Sequence, residues 1–160
     1  MIKKLIFILC AFPGLSCGSD SSTDLTERIE NKLEQALEKF EPTNNAFLFS
    51  IFHTDTCIIQ IVHRSYVDIL RNPDNSFGFA LNLTFDPTSE AEKAYHEKFK
   101  HMDVYADFKP YDWEGIPCYA IDLDQDVEKA SELTAYILKN LYGLDEKSKL
   151  KLELLEQGRI

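Results

Sequence analysis

Asp122, Asp124, Asp126 and Glu128 alternate as the opening ligands of a calcium loop do. Such a loop needs glycine at its sixth position and a bidentate glutamate at its twelfth. Counted from Asp122, those positions hold Val127 and Leu133. The acids read instead as a strand end running into a helix N-terminus, where exposed amides and the dipole favour carboxylates. His96-Glu97 opens like the H-E-x-x-H of zinc proteases, but Lys100 holds the fifth place and the next histidine is His101. Five helical residues turn about 140°, so His96 and His101 cannot share a metal on one face. His53 and His63 end neighbouring predicted strands and could approach one another, yet two imidazoles without a third ligand make a weak site. Ser148-Lys149-Leu150-Lys151 fits the S-x-x-K of penicillin-interacting serine enzymes, but the companion S-D-N and K-T-G are missing. G-x-S-x-G, P-loop and dinucleotide fingerprints are missing too. The expectation is a protein without catalytic residues, metal or cofactor.

The thiols offer less than their number suggests. Of four cysteines, Cys10 lies in an apolar leader and Cys17 at its end, which leaves Cys57 and Cys118. They are not a C-x-x-C pair. An oxidising compartment permits a disulfide between them, although the spacing of two lone cysteines does not show that they meet. Aromatic residues are the other resource. Tyr105, Phe108, Tyr111, Trp113 and Tyr119 crowd one stretch, interleaved with Asp103, Asp107, Asp112 and Glu114. Tyr and Trp supply rigid contact area, so Tyr105, Tyr111, Trp113 and Tyr119 are a candidate surface for a basic protein or a glycan. The competing reading turns alternate aromatics into the core and leaves the acids to keep the hairpin soluble.

The front of the chain speaks of location. Lys3 and Lys4 precede an apolar run from Leu5 to Phe12, then Pro13-Gly14 and Leu15-Ser16-Cys17. A basic start, a short apolar stretch and small residues before a cleavage point make a secretory signal. The run is well short of the ~20 residues that span a bilayer. With cysteine at the cut, the segment resembles a bacterial lipoprotein signal, with Gly14 and Leu15 where that family usually has leucine and a small residue. The resemblance implies removal of residues 1–16, lipidation of Cys17 and attachment to a membrane through that lipid. Gly18 in place of a retaining aspartate then points to the outer rather than the inner membrane. An ordinary signal cut nearby, with Cys17 incidental, is the alternative. Residues 17–23, ending in the small polar run GSDSST, form a tether that cannot bury enough surface to order itself.

The formal charge of −10 becomes about −12 once Lys3 and Lys4 are removed with the leader. This argues against nucleic acid, whose binding depends on lysine and arginine against phosphate, and against docking on anionic lipid by a basic patch. A basic protein partner stays open.

Residues 24–160 are long enough for a single domain. Asp24 with Glu27 predicts a capped helix, carried by Leu25, Ile29, Leu33, Leu37 and Phe40 at helical spacing. Ala46–His53 and Cys57–His63 read as a hairpin, with a further strand alternating Phe77, Phe79, Leu81, Leu83 and Phe85. A thin helix follows over roughly 90–101, then a second hairpin from 104–109 and 116–123. A strong helix starts at Asp124 or Asp126 and stops at Gly143, and a charged C-terminal helix begins at about Asp145. The fold class is α+β: an antiparallel sheet of about five strands with helices packed on it, in the order α-βββ-α-ββ-α plus the terminal helix. From Asp24 to Gly143 this order resembles the fold of type III secretion chaperones and their stand-alone bacterial relatives. That resemblance implies a non-enzymatic protein that binds another polypeptide and often pairs with itself as a homodimer; no residue motif accompanies it.

Three functions compete. The first is a lipid-anchored envelope protein that binds another polypeptide in an accessory or chaperone-like role. The second is an immunity-type lipoprotein that neutralises a toxin, and the third is an envelope hydrolase, which the motifs leave unsupported.

Overall fold

The structure, a computed structural model, describes residues 24–74 and 76–159. The segment read as an export signal, and Cys17 as its expected lipidation site, lie outside the described residues.

Helix α1 (Leu25–Phe40) begins where Asp24 accepts from the amide of Thr26, and it buries Leu25, Ile29, Leu33, Ala36 and Phe40 along one stripe. Asn44, in the left-handed region at φ 49°, turns the chain into β1 (Asn45–His53). A two-residue turn joins β1 to β2 (Thr56–His63), and both of its central residues, Thr54 and Asp55, have positive φ. That geometry matches the right-handed twist of the strands it connects. Two short 3₁₀ turns over 64–70 lead towards β3 (Phe79–Thr84), and Ser89 caps α2 (Glu90–Lys100) by accepting from the amide of Glu92. The second hairpin pairs β4 (Lys109–Trp113) with β5 (Ile116–Asp122) through Glu114 and Gly115, both at positive φ. Asp126 caps α3 (Val127–Asn140) by accepting from the amide of Lys129.

Among the described residues the strands form one six-stranded antiparallel sheet in the order β4-β5-β3-β2-β1-β6. The α+β class is therefore as expected, with three helices on one face. Strand alternation sends Phe47, Phe49, Ile51, Ile59, Ile61, Phe79, Leu81 and Leu83 to that face, against Leu33, Phe99 and Ile137 of the helices. Val62, Ala80 and Ala120 point the other way and are covered by Val67 and Leu70 of the 64–70 turns.

Two expectations are corrected. Leu150–Arg159 is not a helix but the edge strand β6, paired antiparallel with β1. Leu150, Leu154 and Leu155 fit a helical spacing, but Leu150, Leu152 and Leu154 also alternate. The alternation prevails because β1 offers a free edge and the helix layer a surface to cover; Leu150 is buried. Residues 104–107 form a 3₁₀ turn rather than a strand, so β4 starts only at Lys109.

Candidate functional site

Tyr105, Tyr111, Trp113 and Tyr119 do not form one surface. Pairing of Pro110 with Tyr119 and of Tyr111 with Cys118 sets the alternation, so Tyr119 faces the helices and Tyr111 and Trp113 face away. Tyr119 is buried, 5.2 Å from Phe99 and 5.6 Å from Tyr105 between ring centres. Its hydroxyl lies 2.8 Å from Nε2 of His96, which stacks on Phe85. These rings are core, and His96 belongs to them: burial, then Lys100, lowers its pKa. His101 is exposed past the helix end. Tyr111 donates to Oδ1 of Asn82 at 2.7 Å on the opposite face.

Other candidates resolve into structure. His53 pairs with Thr56 at the turn, so His63 sits at the far end of the same hairpin and the two imidazoles do not approach. His63 is fully buried instead. Its Nδ1 accepts from the amide of Ser65 at 3.2 Å, which places the proton on Nε2, 3.2 Å from Oδ1 of Asn44. Burial, with Arg64 adjacent, pushes its pKa down to about 4. The acidic alternation has a local purpose: Asp122 and Asp124 hold the buried Arg64, and Asp126 caps α3. Among the described residues no three His, Cys, Asp or Glu side chains converge as a metal site needs. Ser148 bonds to Asp145 in the turn that enters β6.

Cys57 is exposed at the start of β2 and Cys118 is buried in β5; no disulfide joins them. Cys118 pairs with Thr84 of β3, and β2 lies on the other side of β3. Two strand spacings put the backbones about 10 Å apart, beyond the ~7 Å that a disulfide spans.

What the fold does assemble is a notch of about 740 Å³ at one end of the sheet. The start of β2 supplies Thr56, Cys57 and Ile58, the end of β3 supplies Thr84, and the β4–β5 turn supplies Trp113, Glu114, Gly115 and Ile116. The opposite wall is Asp86, Pro87, Thr88 and Ser89 with Glu92 from the first turn of α2. Trp113, Ile58, Ile116 and Pro87 make it partly apolar, while Asp86, Glu92 and Glu114 give it three carboxylates and, among the described residues, no lining Lys, Arg or His. The hydroxyl and amide of Thr88, both 2.7 Å from Oδ1 of Asp86, lower that carboxyl's pKa. Glu92 moves the other way: partial burial raises it, and the charge of Asp86 adds to the effect.

The sequence singles out Trp113 and Glu114 but not the wall formed by Asp86–Ser89 and Glu92. The wall they form depends on β3 lying between β2 and β5, a long-range pairing without a local signal. The chain matches no known family model, no curated protein and no solved structure.

Proposed function

We propose that the chain is a lipid-anchored, non-enzymatic protein of the bacterial cell envelope that binds another polypeptide through the notch at the end of its sheet. The observation that carries the binding half is the composition of that notch: an indole and two isoleucines beside three carboxylates, built from four separate segments. Apolar contact area next to charged groups that fix orientation is the usual make-up of a recognition site. The lipid anchor rests on the Lys3–Cys17 segment, and the overall charge of −10 suits a protein partner better than nucleic acid.

The anchor is tested by the mass of the mature N-terminus, expected to be a diacylated Cys17, and by Cys17→Ser, expected to abolish acylation. The binding half is tested with a photo-crosslinking residue at Glu114, on the exposed turn of the notch, in the full chain expressed in its host. A polypeptide adduct that disappears with Trp113→Ala, and that does not form from position 136 on α3, is the expected result. Equal adducts from both positions, or none from Glu114, would overturn it.

A further inference from the structure

We infer that the notch receives a basic segment of its partner, with a lysine or arginine whose aliphatic stem lies against Trp113, Ile58 and Ile116 and whose cationic head reaches the carboxylates. This rests on the polypeptide-binding reading and adds the chemistry of what is bound.

Charge makes the first case. Among the described residues, Asp86, Glu92 and Glu114 line the space and no cation does. Lys93 on α2 does not line the space: it bonds to Glu90 at 2.6 Å, and its charge is the smallest of the influences on the pKa of Asp86. A partly buried carboxylate held near a second one is poorly solvated and repelled, and an incoming cation relieves both costs.

The arrangement also selects among cations. A compact metal ion requires ligands converging on one point, and among the described residues these acids do not converge. They sit on three separate segments: the loop before α2, the first turn of α2 and the β4–β5 turn. Acids distributed in this way suit a long side chain, or successive basic residues of an extended chain. Lys and Arg also carry the methylenes that an indole and two isoleucines can cover, and a cation over an indole face gains further.

An anion is disfavoured although a helix begins here. The amide of Glu92 already bonds to Ser89 and the amide of Thr88 to Asp86, and the three carboxylates repel a negative ligand. A neutral glycan could stack on Trp113 but would leave the charges unanswered. The volume of about 740 Å³ lies within the range of sites that enclose compact ligands, so a few residues of chain fit and a folded element does not.

Trp113 is the only tryptophan of the chain, so its fluorescence reports on the notch directly. The full chain in detergent is titrated with tetralysine, with tetraglutamate and with a neutral β-linked tetrasaccharide. Tetralysine is expected to shift the Trp113 emission, and the apparent affinity to fall about tenfold between ~0.05 M and ~0.5 M salt. Glu114→Gln, on an exposed turn, and Glu92→Gln should each weaken it several-fold, while Glu132→Gln on α3 leaves it unchanged. No shift with tetralysine, an equal or larger shift with tetraglutamate or the tetrasaccharide, or equal losses with Glu132→Gln would overturn the inference. If tetralysine fails while the adduct at Glu114 still forms and still requires Trp113, the polypeptide-binding reading survives and only the basic chemistry is lost.

Discussion

The guanidinium of Arg64 occupies the space that a side chain on Gly78 would need: a β-carbon added there would overlap Nη2, Nε and Cζ. Arg64 is only 4 % exposed. Its Nη2 bonds to the carbonyl of Phe77 at 3.0 Å and to Asp124 at 2.7 Å, and its Nη1 to Asp122 at 3.1 Å. Its amide also donates to the carbonyl of Gly78. One arginine thereby fastens the segment after β2 to the junction between β5 and α3.

Gly78→Ala should therefore cost more than removal of the arginine. The alanine pushes a buried cation off its partners, which costs about 3 kcal/mol or more. Arg64→Met leaves two acids that reach water, Asp124 most easily, and should cost about 1–2 kcal/mol. In the Arg64→Met background the alanine has nothing to displace, so Gly78→Ala should then cost less than about 1 kcal/mol. Urea denaturation of the four proteins checks this, and additive losses would show that the overlap is not the cause.

His63 gives the fold an acid-sensitive point. Its pKa, about 4 in the fold, lies below the ordinary value near 6.5, so the unfolded chain binds the extra proton first. The stability it contributes is complete above about pH 6.5 and is lost as pH falls towards 4, by about 3 kcal/mol over that window. Protonation also turns Nδ1 from an acceptor into a donor, against the amide of Ser65 that now donates to it. His63→Gln should flatten the loss between pH 6.5 and 4 relative to the parent, measured by denaturant midpoints at each pH. Parallel pH profiles would assign the acid sensitivity elsewhere.

Much of the fold was legible because local physics decided it. Asp24, Ser89 and Asp126 each precede a helix and each caps it. Phe79 to Leu83 alternates because one face of β3 packs on the helices. The candidate site was legible only in part. Trp113 and Glu114 stand out as an aromatic beside an acid, whereas Tyr105 and Tyr119 look the same in sequence and are core. Their fates diverge because Tyr119 takes the helix-facing parity of β5 and Trp113 the opposite parity of β4. Parity is fixed by register, and register by the Glu114-Gly115 turn and by pairing with β3, which no short window contains.

The two thiols should behave very differently. Cys57 is exposed, whereas burial pushes the Cys118 thiol up to about 11. At pH 8 roughly one Cys118 in a thousand is then thiolate, and access limits even that fraction. Brief iodoacetamide treatment followed by peptide mass mapping should label Cys57 and spare Cys118 until denaturant is added. Comparable native labelling of both, or a peptide cross-linked through the two sulfurs, would contradict the strand order that separates them.

The terminal strand makes the sharpest test of where tertiary context overrides composition. Leu, Glu and Lys over 150–156 are good helix formers, and an isolated peptide of this sequence has no reason to extend. In the protein, Leu154 lies opposite Phe49 and Leu152 opposite Ile51, and Glu156 accepts from Asn45 and pairs with Lys39 of α1 at 3.3 Å. An edge strand in an antiparallel pair turns every second amide to its neighbour and the others outward. Hydrogen exchange across Lys151–Glu156 should therefore alternate, with slow and fast amides differing by about tenfold or more. A helix would protect successive amides instead. Leu150→Ala should lower stability by about 2 kcal/mol, since the side chain is 8 % exposed in the core, and should speed exchange on the slow set alone. Uniform protection along the segment would restore the helix and remove β6 from the sheet.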